Sequence, residues 1–273
     1  MSTPDSHSTA PMPLPVPAPW RLLDTAATVL AVHAHPDDES LSTGALLASL
    51  AATGTRVVLV TATRGEEGEI VPGSLDDAES RPLEEVREAE IAAAAAALGI
   101  AERHWLGTAP ALSPDAGPRR YRDSGMQWVR EGLAGPSDSA GADSFSLRPL
   151  EEAVDDLVAL LQTVRPDVVI GYDDEGTYGH PDHVRAHHVA VAASARAGIP
   201  LIEIASVLPD GDGTDHRIAE RDHPGTARAV LRAVDSYRTQ LTVVDEAPGG
   251  IAIRHVGGQD DVVRLRTGLH VRD

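Results

Sequence analysis

The sequence contains neither cysteine nor lysine, and no apolar run in it approaches the ~20 residues of a membrane-spanning helix. Without cysteine the chain can form neither disulfide bonds nor thiolate-bound metal sites. Acidic residues number 42 against 23 basic ones, which leaves a formal net charge of −19. Because binding to nucleic-acid backbones and anionic membranes depends on basic surface, we expect no nucleic-acid or membrane partner.

The N-terminal segment, residues 1–19, is rich in proline, serine and threonine. It lacks the basic start and apolar core of a signal peptide, so its composition is typical of a disordered tail. We predict a soluble cytoplasmic protein with a single domain over residues 20–273, a length that allows one large core. Within this domain we expect an irregular insert at 107–146 and a variable C-terminal part at 210–273.

Apolar, β-branched runs alternate with helical patterns along the chain. The runs are typical of strands at 27–32, 55–61, 103–106, 167–172 and 200–207. Apolar spacing, terminal glycines and acidic first turns predict helices at 42–50, 82–98, 150–164, 184–195 and 230–241. The alternation favours an α/β fold with a Rossmann-like, open, mostly parallel sheet and helices on both faces.

Polar segments follow three of the predicted strands, at 35–39, 63–69 and 173–183. In a parallel sheet the loops after the strands share one edge, at the C-terminal ends of the strands, and ligands bind there. We therefore expect these segments to meet at that edge and to form the site, although they are distant in sequence.

The first and third segments hold candidate ligands and catalytic groups: His35, Asp37, Asp38, His180, Asp182 and His183. Unpaired buried charges cost several kcal/mol, and a divalent metal would compensate the carboxylates directly. Two imidazoles, one carboxylate and an open position are the common ligands of a catalytic zinc, and Fe²⁺ also suits such a site. A nearby carboxylate that does not bind the metal could then take a proton from water.

Simpler interpretations of the same residues remain open. Histidine, proline and aspartate at 35–37 are common in turns, and His180 with His183 could be a helix cap and a surface residue. A rival metal pair is His183 with His187, four residues apart on one helix face.

The segments 34–39 (AHPDDE) and 179–183 (GHPDH) resemble the LmbE/PIG-L family of zinc-dependent N-acetylglucosamine-type deacetylases. The resemblance spans roughly residues 27–205. It implies three zinc ligands: His35, Asp38 and His183. It also implies two catalytic groups: Asp37 as the general base, and His180 to stabilise the oxyanion or protonate the leaving amine. Asp182 would fix the tautomer of His180, as carboxylates beside a metal site often do.

A narrower resemblance, to the actinobacterial mycothiol-pathway branch, involves the segments 65–69 (GEEGE) and 121–126 (YRDSGM) together with Tyr178. That branch contains the deacetylase of N-acetylglucosaminyl-inositol and an amidase of mycothiol conjugates. The resemblance implies that Tyr178 polarises the scissile carbonyl. It further implies a set of sugar-binding residues: Glu66, Arg87 and Asp123. From the residues alone, Glu66 could equally belong to a solvated acidic loop, and Arg87 could pair with a glutamate on its own helix.

The primary hypothesis is a metal-dependent hydrolase that removes the acyl group from an N-acylated amino sugar, a small-molecule substrate. The alternatives are an amidase of mycothiol S-conjugates, or a non-catalytic metal- or sugar-binding domain on the same scaffold. A two-metal phosphoesterase is less favoured because the acidic residues support one metal well and a second one poorly. Homo-oligomerisation stays open, and Glu39 is expected to be a partner of the residues around the metal.

Overall fold

A computed structural model of the protein describes residues 18–75, 79–130, 133–208 and 217–270. The predicted tail lies outside the described residues except for its last two, which open the first helix instead. The helices are α1 Ala18–Thr25, α2 Asp38–Ser42, α3 Gly44–Ala52, α4 Leu83–Leu98, α5 Leu150–Val164, α6 Gly176–Gly179, α7 Pro181–Ala197 and α8 Ala227–Asp235. The strands are β1 Thr28–His33, β2 Arg56–Thr61, β3 Glu102–Trp105, β4 Met126–Arg130, β5 Leu133–Pro136, β6 Val168–Tyr172, β7 Leu201–Ile204, β8 Ile218–Asp222, β9 Leu241–Ala247, β10 Gly250–His255, β11 Asp260–Arg264 and β12 Arg266–His270.

Within the described part of the chain, the main sheet has seven strands in the order β3-β2-β1-β6-β7-β12-β8. The first five strands of this order are parallel, whereas β12 runs antiparallel to both of its neighbours. The predicted α/β fold with a mostly parallel sheet is confirmed. The two strands that extend the sheet, β8 and β12, carry charged residues and little apolar pattern, so the sequence did not indicate them.

The core lies on both faces of the sheet because neighbouring residues of a strand point to opposite sides. In β1, Val29 and Ala31 face a cluster built with α3, α4 and α8, and Leu30 and Val32 face a second cluster built with α5 and α7. Burial of each large aliphatic side chain contributes about 1.5–3 kcal/mol. Helices therefore cover both faces, as the sequence predicts.

Several bounds differ from the sequence prediction: the helix predicted at 42–50 is divided into α2 and α3, and the strand predicted at 200–207 ends at Ile204. Three further differences change the architecture. The insert at 107–146 contains an antiparallel hairpin, β4–β5, whose outer strand is mostly exposed and lacks the alternation that reveals a strand. Helix α7 begins at Pro181, where proline suits the first turn, so His183 belongs to the helix. Helix α8 ends at Asp235, and Leu241 already begins β9 of a separate antiparallel sheet, β9–β10–β11.

The carboxyl edge of the parallel sheet brings the three polar segments together. His33 at the end of β1 pairs with Thr61 at the end of β2, and β6 lies on the other side of β1. Segments 35–39, 63–69 and 173–183 all leave the sheet at this edge. Among the described residues, no helix is both long and apolar enough to cross a lipid bilayer.

Candidate active site

Three side chains meet at the carboxyl edge with the spacing of metal ligands. His35 Nδ1 lies 3.3 Å from Asp38 Oδ2 and 3.3 Å from His183 Nε2, and His183 Nε2 lies 3.2 Å from Asp38 Oδ1. Ligand atoms about 2.0–2.1 Å from a tetrahedral ion lie roughly 3.3 Å from one another. The two imidazoles therefore face different oxygens of one carboxylate at the spacing of neighbouring metal ligands. All three residues are buried, and we call this cluster of His35, Asp38 and His183 the candidate metal face.

Two groupings of ligand-type atoms among the described residues share members with this cluster, and neither of them includes Asp38. Atoms within 4.8 Å of one another belong to two sets: His35, His180 and His183, and His35, Asp123 and Asp182. The second set lies on the other side of the His35 ring. There Nε2 is 3.1 Å from Asp182 Oδ2 and 3.5 Å from Asp123 Oδ1, which is the geometry of an N–H facing carboxylates.

Asp182 orients His35 and not His180, contrary to the expectation from the sequence. The His35 Nε2–H donates to Asp182, which leaves the Nδ1 lone pair for the metal face. Ser124 holds this carboxylate through its backbone N–H at 2.9 Å and its hydroxyl at 2.5 Å. Asp182 touches His180 only through its backbone N–H, because α7 starts between them and His180 is its N-cap.

His183 is oriented by Thr177, which the sequence analysis did not single out. The Thr177 hydroxyl donates to the Gly176 carbonyl, so its oxygen accepts the His183 Nδ1–H at 2.8 Å. This arrangement directs the Nε2 lone pair of His183 towards the metal face. Thr177 has φ 64° and ψ −87°, a conformation that is strained for a β-branched residue and costs about 1–3 kcal/mol.

Asp38 is held as an ionised carboxylate. Its Oδ2 accepts hydrogen bonds from the Tyr172 hydroxyl at 2.7 Å and from the His35 backbone N–H at 2.8 Å. Burial alone would raise the pKa of Asp38, but the facing rings of His183 and His35 lower it well below its ordinary value. The Tyr172 ring also stacks on His183, with 4.6 Å between centroids and 8° between planes.

Asp37 has the opposite electrostatic setting from its neighbour. Burial, together with the carboxylates of Asp38 and Glu39, raises the pKa of Asp37 well above its ordinary value. Its backbone is strained as well, with φ 111° and ψ −31°. Adjacent aspartates with pKa values displaced in opposite directions suit two different tasks, one as ligand and one as proton acceptor.

His180 and Tyr178 lie beside the metal face. Burial and the neighbouring rings of His35 and His183 lower the pKa of His180 to about 2, so its imidazole is neutral. Its Nδ1 accepts the Asp182 N–H at 3.1 Å, which places its proton on Nε2. The Tyr178 ring lies 5.5 Å from His183 and is 39% exposed, at the mouth of the site.

A sequence profile described as PIG-L, GlcNAc-PI de-N-acetylase, matches residues 30–194, which contain all the site residues described so far. The chain belongs to this family. The resemblance stated from the two histidine-containing motifs is confirmed.

Curated relatives of this PIG-L family member come from actinobacteria and share one name, 1D-myo-inositol 2-acetamido-2-deoxy-alpha-D-glucopyranoside deacetylase. The protein of Thermobispora bispora is 42% identical over 236 residues, covering 81% of this chain and 69% of that protein. The Streptomyces avermitilis protein is 40% identical over 236 residues, covering 81% and 72%. The Nocardioides sp. protein is 47% identical over 176 residues, covering 63% and 55%. The predicted actinobacterial branch is thus confirmed, and this chain spans only about half to three quarters of each relative.

Solved structures show the same fold at lower identity. A deacetylase–teicoplanin complex from teicoplanin biosynthesis has a TM-score of 0.55 and 21% identity, covering 90% of this chain and 99% of that chain. The N,N′-diacetylchitobiose deacetylase from Pyrococcus horikoshii has a TM-score of 0.53 and 22% identity, covering 80% and 72%.

The residues that the family resemblance assigns to sugar binding are tied into the protein. Asp123 lies beside His35, and its Oδ1 accepts the Gly125 N–H at 2.8 Å. The Glu66 carboxylate binds Arg120 Nε at 2.9 Å and the Asp123 N–H at 3.1 Å. Glu66 therefore positions the 120–123 segment, and it is not simply part of a solvated acidic loop.

Arg87 lies beneath the glycine-containing loop of segment 65–69. It is 1% exposed, and its Nη2 donates to the carbonyls of Gly68 and Glu69. A Cβ at Gly68 would lie 2.7 Å from Arg87 Nη1, so any larger residue there would displace the guanidinium. Arg87 Nε and Nη1 have no hydrogen-bond partner among the described residues. The guanidinium thus supports the loop and keeps two donors unused.

His187 makes its contacts with groups other than His35, Asp38 and His183. Its Nδ1 donates to the Tyr172 carbonyl at 2.9 Å and lies 3.4 Å from Glu203. The rival pairing of His183 with His187 therefore has no support in the described geometry, since His183 faces His35 and Asp38.

Glu39 connects the loop of residues 35–39 to the C-terminal part. It is fully buried, and burial raises its pKa to about 7. Its Oε1 accepts the Tyr237 hydroxyl at 2.6 Å, and its Oε2 lies 3.4 Å from the Asp37 N–H. Gln240 adds a hydrogen bond to the Pro36 carbonyl at 2.8 Å. The turn after α8 thus braces the loop that carries Asp37.

Sequence reasoning missed the residues that orient the candidate ligands and the candidate base: Ser124, Tyr172, Thr177 and Tyr237. The first three lie within or next to the segments 121–126 and 173–183, which the sequence motifs already indicate as part of the site. A search for hydroxyl groups beside the candidate ligands could have found them. Tyr237 is 198 residues away from Glu39, and no local pattern connects the two.

Proposed function

We propose that the protein is a metal-dependent hydrolase that removes the N-acetyl group from an amino sugar joined to inositol, the compound in its relatives' name. The observation that carries this proposal is the meeting of His35, Asp38 and His183 at distances of 3.2–3.3 Å, with the carboxylate of Asp37 next to Asp38 in sequence. The relatives at 40–47% identity support deacetylation over the S-conjugate amidase and over a non-catalytic domain.

The donor set fits a divalent ion, for which we propose Zn²⁺, with Fe²⁺ compatible as well. His35, Asp38 and His183 would hold it. When bound, such an ion supplies a Lewis acid for the amide carbonyl and lowers the pKa of water towards neutrality.

The chain's own groups would move the protons of the reaction. Asp37, with its raised pKa, receives the proton of the attacking water and returns it to the nitrogen of the leaving amine. The neutral His180 has its proton on Nε2, so it donates a hydrogen bond to the developing oxyanion and does not act as an acid. The Tyr178 hydroxyl polarises the scissile carbonyl through the same oxygen. Acetate and the free amine are the products.

The replacement Asp37→Asn tests this division of labour. We expect acetate release to fall by about 10²–10⁴-fold, the usual contribution of a general base, with one metal still bound per chain. Acetate can be assayed on N-acetylglucosaminyl-inositol with and without chelator, and bound metal by elemental analysis. Activity within a few-fold of the wild type would exclude Asp37 as the base, and chelator-resistant activity would exclude the metal mechanism.

A further inference from the structure

An exposed aromatic side chain lies at the mouth of the site and has no role in the chemistry described. Trp128 on β4 is 51% exposed, whereas Trp20 is buried in the core. Exposed aromatic surface beside a cleft marks ligand-binding grooves in many proteins.

The hairpin presents Trp128 towards Tyr178 of α6. The ring centroids of Trp128 and Tyr178 are 5.6 Å apart, and their planes are inclined by 40°. The strand register independently gives the same direction. Trp128 pairs with Ala134, and cross-strand partners share a face of the hairpin. Ala134 is 6% exposed, and its carbonyl lies against Gly179.

The hairpin packs closely against α6 at Gly179. Gly179 has φ +79°, and a Cβ there would lie 2.7 Å from Leu133 Cδ1. A larger residue would be strained at this φ and would displace the side chain of Leu133, which belongs to the same hairpin as Trp128. The hairpin that carries Trp128 is therefore in contact with α6 at Tyr178 and Gly179.

The Tyr178 ring neighbours both His183 and Trp128. The Tyr178 ring lies 5.5 Å from His183 and 5.6 Å from Trp128, so the indole is within about 11 Å of a ligand ring. That distance is comparable to the length of two linked six-membered rings. A substrate whose amide lies at the metal would extend its second ring over the indole.

We propose that Trp128, together with the outer face of Tyr178, forms a stacking subsite for the second ring of the substrate. The ligand class is a neutral, polyhydroxylated six-membered ring attached to the amino sugar. The C–H face of such a ring packs on the electron-rich face of an aromatic side chain. This inference rests on the proposed function and makes Trp128 a determinant of specificity.

The test compares Trp128→Ala with the wild type on two substrates, N-acetylglucosaminyl-inositol and N-acetylglucosamine. We expect the ratio of their kcat/KM values to fall about tenfold, with most of the ratio retained in Trp128→Phe. Val129→Ala is the matched control, since Val129 is exposed on the same strand and should leave both values unchanged. A ratio equal to that of the wild type would overturn the subsite.

A binding measurement separates this inference from the proposed function. Calorimetric titration with the amine glucosaminyl-inositol should show affinity about tenfold weaker in Trp128→Ala than in the wild type. If the wild type hydrolyses neither acetylated substrate, the proposed function fails, while the titration still decides the subsite. Equal affinities of the wild type and Trp128→Ala for the amine would refute the stacking subsite.

Discussion

Replacing Tyr237 by phenylalanine should destabilise the protein by about 1.5–3 kcal/mol, although only one oxygen atom is lost. The Tyr237 ring is fully buried, and its hydroxyl donates to Glu39 Oε1 at 2.6 Å. Phenylalanine keeps the ring and opens no large cavity, so the loss is that of a hydrogen bond to a buried carboxylate. Above the pKa of Glu39, about 7, that carboxylate is charged and depends most on its donors.

The measurement is differential scanning calorimetry at pH 8 with equal metal loading. For a chain of this size the expected loss corresponds to a decrease in Tm of roughly 3–12 °C. Tyr121→Phe is the matched control, because Tyr121 is also buried and donates to a carboxylate, Asp156, at 2.7 Å. Both variants should lose stability, but only Tyr237→Phe should lose activity. The reason is that Glu39 also accepts a hydrogen bond from the N–H of Asp37, the proposed base.

Two results would refute this reasoning. A change in stability below ~0.5 kcal/mol in Tyr237→Phe would mean that Glu39 does not need the hydroxyl. Equal losses of activity in Tyr237→Phe and Tyr121→Phe would mean that destabilisation alone lowers turnover. A double-mutant cycle with Glu39→Gln adds an independent check, since direct partners should show coupling of about 0.5–3 kcal/mol.

Further predictions concern the metal and the dependence on pH. His183→Ala should release the metal, and full occupancy by elemental analysis would remove His183 from the ligand set. Asp182→Asn should weaken metal affinity about 10–100-fold because it no longer orients His35; competition with a chromogenic chelator measures this, and unchanged affinity would contradict it. Burial and Arg221 hold the pKa of His223 below its ordinary value of 6.5, so the unfolded state takes up a proton there first. Tm should therefore decrease as the pH is lowered below about 6.5, and this decrease should be smaller in His223→Gln. Parallel curves of Tm against pH for the two proteins would contradict a role of His223.

Much of the fold follows from local patterns. The helix over residues 150–164 has the predicted bounds because Val154, Leu157, Leu160 and Leu161 recur at helical spacing on one buried face. The mainly apolar runs that form β1, β2 and β6 are continuous because both faces of a parallel strand are covered. The half-exposed hairpin β4–β5 lacks any such pattern and escaped notice.

By itself the sequence determined the family, the parallel sheet and the set of candidate ligands, since these depend on motifs and periodicities within a few residues. Only the tertiary structure decided which partner orients each group. It assigned Asp182 to His35, Thr177 to His183, and Tyr237 to Glu39 across 198 residues. The physical reason is that hydrogen bonds to a buried polar group depend on distances set by packing, and the spacing of residues along a chain does not contain those distances.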